Sequence, residues 1–208
     1  RLKNYCRDNK VNLSLPSLRM DNFSFELLDE IQGTRKSGLT FAPEAGTQRL
    51  RDVINKNITE EHIFGSLHRA LEMGWNSVKL YFMIGLPGET REDLDGIVDL
   101  AGRIMDMVRV HNGGKIGRFN LSVSVSNFVP KPCTPFMWAR QDSPEEFEKK
   151  QFYLKDELKK IKGVSYRYHD PFASMLEAAF ARGGRELSCM LERAVELGAC
   201  FDAWTEGF

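Results

Sequence analysis

The stretch SVKLYFMIGLPGETRE, residues 77–92, most constrains how this chain can fold. Val78, Leu80, Phe82 and Ile84 fall on one face of an extended segment, and Lys79, Tyr81 and Met83 on the other. Neither face is cleanly polar. That is the pattern of a strand covered on both sides, as in a parallel α/β sheet. Gly85-Leu86-Pro87-Gly88 then breaks the strand. Thr90, with Asp93 three residues on, reads as an N-cap and its capping partner. Leu94, Ile97, Val98, Ala101, Ile104, Met105 and Val108 follow at helical steps, which predicts a long amphipathic helix. In α/β folds ligands gather at the carboxyl ends of strands. The Gly85 corner is therefore expected to edge any site the chain carries.

The remaining segments alternate in the same way. Residues 11–15 read as a strand ended by Pro16, and a helix capped by Asp21 or Asn22 runs to Gly33. A second strand is expected over 37–42, with Pro43-Glu44-Ala45-Gly46 at its end. Thr47 starts a helix through Leu50, Val53 and Ile54, and Thr59 caps another that Gly74 closes. Leu121, Val123 and Val125 alternate with Ser122, Ser124 and Ser126 in a strand over 120–129. Ser143-Pro144-Glu145-Glu146 is a capping box with proline at the first helical position, opening a helix to about residue 162. A short strand over 164–168 and helices over 172–181 and 185–197 complete the pattern. The order predicts an α/β fold with parallel strands joined by right-handed helical crossovers.

Composition narrows the function classes. Lys+Arg and Asp+Glu are both 29, so formal net charge is zero and no basic stripe argues for nucleic acid. No apolar run is long enough to span a bilayer. No secretory signal opens the sequence, and a cytoplasmic location is expected. Cys6, Cys133, Cys189 and Cys200 lie far apart, without the spacing of a disulfide framework or a metal site. The chain lacks an initiator Met and is expected to be a fragment of something longer.

Several residues have both a functional and a structural reading. Glu44, just past a strand, is either a ligand to a ribose or metal or a solvated loop acid. Arg49 and Arg51 cannot both face one point of a helix. Gly85 and Gly88 either admit a ligand to the backbone or only make a turn. Glu89 reads as a helix-start acid and Asp170 of His169-Asp170 as a cap. His62, His68 and His111 read as packing or solvent residues, and Met73, Met83, Met105 and Met107 as core filler. Phe136-Met137-Trp138 is expected to form an apolar lid or a wedge into a neighbouring domain.

With these residues in view the chain resembles a known family. Leu15-Pro16-Ser17-Leu18-Arg19, Phe41 to Arg51 (FAPEAGTQRLR), Gly85 to Thr90 (GLPGET) and Asn127 to Pro135 (NFVPKPCTP) resemble the second half of a radical S-adenosylmethionine (radical SAM) barrel. Their order matches the strands usually numbered third to sixth. The nearest likeness is to bacterial proteins of uncharacterised function that join a cobalamin-binding-like domain to a radical SAM domain. Methylthiotransferases are similar at a greater distance. The resemblance implies a partial (β/α) barrel of about four parallel strands over residues 1–140 and a mostly helical extension over 141–208. It implies S-adenosylmethionine and a [4Fe–4S] cluster in the parent protein, with cobalamin as an open question there. The N-terminal half of the barrel would be the chain's first partner, and the exposed edge of its first strand is expected to favour a homo-oligomer.

The departure from the family pattern matters as much. The family holds its cluster with C-x-x-x-C-x-x-C, and this sequence contains no such triplet. It also lacks the Gly-Gly-Glu that clamps the methionyl amine. The resemblance therefore implies a parent that cleaves S-adenosylmethionine reductively, and a fragment that is inactive alone, since cluster ligation needs clustered thiolates. Position by position, it implies that Glu44 touches the ribose or methionine part of the cofactor. Arg49 or Arg51, with Arg51 preferred, would neutralise the methionyl carboxylate. Ile84, Gly85 and Leu86 would lie against adenine, joined by Phe128 and Val129. Serines 122, 124 and 126 would line the barrel interior. Two other readings stand beside this one: a non-radical (β/α) barrel enzyme, and a docking or scaffold module.

Overall fold

The computed structural model describes residues 38–199. The strand expected over 11–15, the helix after it, the LPSLR motif and the tail from Cys200 lie outside the described residues. Within them, one sheet holds four strands in chain order, all parallel. They are β1 (Leu39–Glu44), β2 (Ser77–Ile84), β3 (Asn120–Asn127) and β4 (Val164–Tyr168). Helices α1 (Gln48–Val53) and α2 (Glu60–Glu72) join β1 to β2, and α3 (Arg91–His111) joins β2 to β3. Helix α4 (Pro144–Leu158) leads into β4. Helix α5 (Pro171–Arg182), a 3-10 turn (Arg185–Leu187) and α6 (Ser188–Glu196) follow. The architecture is α/β, a partial (β/α) barrel with helices after its last described strand. β4 lies beyond residue 140 and is paired in register with β3, from Leu121–Val164 to Val125–Tyr168.

One face of the sheet is sealed. Phe41, Val78, Leu80, Phe82, Ile84, Leu121, Val123 and Val125 pack against Ile63 and Leu67 of α2, Ile97, Leu100 and Ile104 of α3, and Phe147 and Leu154 of α4. Burying each such side chain contributes about 1.5–3 kcal/mol. The opposite face carries Lys79, Tyr81, Met83, Ser122, Ser126 and Ser165, all only partly buried. The strict alternation of β2 produces both faces at once.

Local chemistry sets the helix starts. Thr90 and Asp93 form the expected capping box on α3, as do Ser143 and Glu146 on α4. Thr59 caps α2, and His62 completes a capping box there, a role the sequence reading did not assign to it. Asp170 caps α5 by accepting the Ala173 amide at 2.7 Å. Strand β1 runs two residues further than expected. Its register with β2 shifts between Phe41 and Glu44, and Pro43, which has no N–H to donate, sits within that shift. No described helix is long and apolar enough to cross a membrane.

Candidate functional site

A second, smaller apolar cluster sits at the carboxyl ends of the strands: Ala45, Leu50, Leu86 and Phe128, with Ile54, Met83 and Phe136 packed on it. It floors a cavity of about 460 Å³ whose wall includes Glu44, Leu86, Phe128, Val129 and Phe136. The residues come from the ends of β1, β2 and β3 and from the proline loop after β3, so parallel pairing gathers them at one point. Phe136 meets Phe128 edge-to-face at 6.2 Å between ring centroids, closing one side. Trp138 does not line this cavity and is 81% exposed.

Glu44 ends β1 with φ 70°, a left-handed conformation rare for a residue with a side chain. Backbone held there is a feature of functional sites. Lys56 donates to its carboxylate at 3.0 Å. Gly85 turns the chain at φ 78°, and a Cβ there would lie 2.6 Å from the Phe147 ring. The Ile84 carbonyl accepts the Phe128 amide at 2.8 Å, which docks the start of the β3 loop on the end of β2. The Ile84 side chain belongs to the sealed face, so only its backbone is available to the cavity.

The two arginines part company, and neither lines the cavity. Arg51 is fully buried, and its guanidinium donates to the carbonyls of Ile58, Ala45 and Gly46 at 3.0–3.3 Å. Burial lowers its pKa, opposed by Glu60 and Asp52. Its donors thus hold the loop on either side of α1. Arg49 keeps half its side chain in solvent and bonds Asp93 and the Gly88 carbonyl. Asp93 also takes the Thr47 hydroxyl and the Thr90 amide, so it ties the β1 corner to the β2 corner.

Two polar networks brace the site from below. Glu89 lies before the helix cap, and its side chain is only 3% exposed. It accepts the Gly85 amide at 3.0 Å and Lys150 at 2.5 Å, and Lys150 also reaches Asp142 at 2.6 Å. The sequence reading of Glu89 as a helix-start acid gives way to a buried brace under Gly85. Burial raises the Glu89 pKa, against the pull of Lys150. Lys150 is itself lowered by burial, but its two carboxylates outweigh that and leave its pKa raised. The second network holds the end of β3. Asn127 donates to Ser174 at 2.9 Å and accepts from Gln151 at 2.9 Å, and Gln151 also bonds the His169 carbonyl. His169 lines the cavity, with Lys131 and Glu177, which form an ion pair.

Among the described residues no group of His, Cys, Asp or Glu has the arrangement of a metal site. Cys133 and Cys189 are both exposed. The cavity can take a ligand with a flat apolar part and hydroxyls: rings and aliphatic carbons on one side, a carboxylate at the other.

Residues 1–101 match the family model of the Radical SAM superfamily. That superfamily in general implies S-adenosylmethionine and a [4Fe–4S] cluster. The match spans β1, α1, α2 and β2 and ends within α3. It therefore includes Glu44, Ile84, Gly85 and Leu86, while Phe128 and Val129 lie beyond it. The chain is also 33% identical over 195 residues to the uncharacterized protein MJ0966 of Methanocaldococcus jannaschii. That alignment covers 92% of this chain and 39% of the relative.

Proposed function

We propose that this chain supplies one wall of an S-adenosylmethionine pocket in a radical SAM enzyme. The observation that carries the reading is the cavity walled by Glu44, Leu86, Phe128 and Val129 at neighbouring parallel strand ends, beside a superfamily match. Phe128, Val129 and Leu86 offer apolar surface to a flat base, which binds through such contact more than through specific side chains. The carboxylate of Glu44, oriented by Lys56, accepts hydrogen bonds from ribose hydroxyls. Glu89 and Lys150 hold the Gly85 amide and keep the corner in place. Arg49, still half exposed, is better placed than Arg51 to approach a carboxylate, because Arg51 has spent its donors on backbone carbonyls and the Gln48 side chain.

The donor set does not fit the cluster. Cys6, Cys133, Cys189 and Cys200 lack the family's spacing, so the thiolates would come from outside these 208 residues. The bound cofactor would supply reductively triggered radical chemistry once joined to that cluster. What these residues do is bind, orient and exclude water.

The test is S-adenosylmethionine binding to the whole protein by anaerobic calorimetry. Phe128→Ala and Glu44→Gln are each expected to weaken it about tenfold, the loss of roughly 1.4 kcal/mol. Affinity unchanged in both would remove the cofactor reading.

A further inference from the structure

We propose that the inner face of the sheet receives an anionic group of the substrate, an assignment that rests on the radical SAM reading above. Strand register lays two polar rows across this face. Lys79, Ser122 and Ser165 are neighbours on β2, β3 and β4, and so are Tyr81, Ser124 and Arg167. Met83 and Ser126 follow at the carboxyl end. A barrel that packs its interior does so with layers of bulky branched residues. Serines at these positions leave room instead.

The face is charged as well as roomy. Lys79 donates to the Tyr81 hydroxyl at 2.7 Å and lies 4.4 Å from its ring centroid, so its ammonium is held along the face. Arg167 is exposed and makes no ion pair or side-chain hydrogen bond among the described residues. These rows hold no Asp or Glu. The nearest carboxylate along β1, that of Glu44, is already paired with Lys56. Two cations on one face, with no Asp or Glu in the rows among the described residues, set a positive potential over it.

Ser124 lies between Tyr81 and Arg167 in register and adds a hydroxyl to that row. An anion's oxygen reaching between Tyr81 and Arg167 would accept from that hydroxyl and neutralise the guanidinium. The ligand class is a molecule bearing carboxylate or phosphate, bound below the cofactor cavity.

Calorimetry on the whole protein at low salt tests this with citrate and with pyrophosphate. One of them is expected to bind saturably, and the tighter one tells carboxylate from phosphate. Lys79→Met and Arg167→Met should each weaken binding about tenfold or more, as loss of a charged hydrogen bond does. Lys79→Arg should retain it, and Arg109→Met, on the far side of α3, should leave it unchanged. Arg167 is exposed, so its variant reports even if Lys79→Met fails to fold. Absence of saturable binding, or equal weakening by Arg109→Met, would overturn the proposal. S-adenosylmethionine is titrated in the same samples. Cofactor binding without anion binding removes this proposal alone, and anion binding without cofactor binding removes the cofactor reading and with it the assignment of the anion to a radical SAM substrate.

Discussion

Gly46 and Gly96 pack backbone against backbone. A Cβ on Gly46 would lie 2.3 Å from the Ile97 nitrogen and 2.6 Å from the Gly96 carbonyl carbon. The corner after β1 thus rests directly on the first turns of α3. This contact lets Thr47 and Arg49 reach Asp93, and so joins the two corners that edge the cavity.

Gly46→Ala is therefore expected to cost about 3 kcal/mol, because the added methyl meets backbone that cannot move aside. Gly96→Ala should cost less. Its nearest neighbour is the Thr47 methyl at 2.8 Å, and alanine recovers about 1 kcal/mol of helix propensity. Urea midpoints of the two variants check the order, and a milder Gly46→Ala would contradict the contact.

Asp93 makes stability depend on acid. Burial pushes its carboxyl up, but bonds from Thr47, the Thr90 amide and Arg49 outweigh that and hold it below its ordinary 3.8. A carboxyl so depressed adds stability that is fully present above the unfolded value and lost as pH falls through the folded one. Asp93→Asn should destabilise the protein at neutral pH by about 1–3 kcal/mol and flatten its acid limb below pH ~5. Denaturant titrations across that range would show parallel acid limbs if Asp93 carried no such linkage.

Lys150 and Glu89 predict the opposite pH response. Lys150→Met leaves the nearly buried Glu89 carboxylate without its ammonium, a loss of about 3–5 kcal/mol. The Glu89 carboxyl, already raised, should rise further. A raised carboxyl contributes stability that is present below its unfolded value and lost as pH rises through the folded one. The variant should therefore be weakest at neutral pH and recover on acidification. Glu89→Gln added to Lys150→Met should restore part of the loss at neutral pH. A double variant no more stable than Lys150→Met would show that the pair is not coupled.

Much of the fold was legible because its signals are local. The alternation of β2, the apolar stripe of α3 and the capping boxes at Thr90 and Ser143 involve residues within a few positions of one another. Glu44 was singled out by its place just past a strand, and Leu86, Phe128 and Val129 by the family resemblance; all four line one cavity. Phe136 was read as part of a lid or wedge, and its ring lines the cavity edge-to-face with Phe128.

The partners of those residues were not legible. Lys150 meets Glu89 across 61 positions, and Arg49 meets Asp93 across 44. No periodicity relates such residues, and a charged side chain reads the same in solvent or in a brace. By itself, then, the amino-acid order determined which of the described segments become strands and helices. Tertiary structure alone decided that Arg51 serves the backbone, that Glu89 is buried, and that Lys79 and Arg167 share one face. The reason is physical: side-chain periodicity is set by the local backbone, whereas charge pairing and burial depend on which distant strands the crossovers bring side by side.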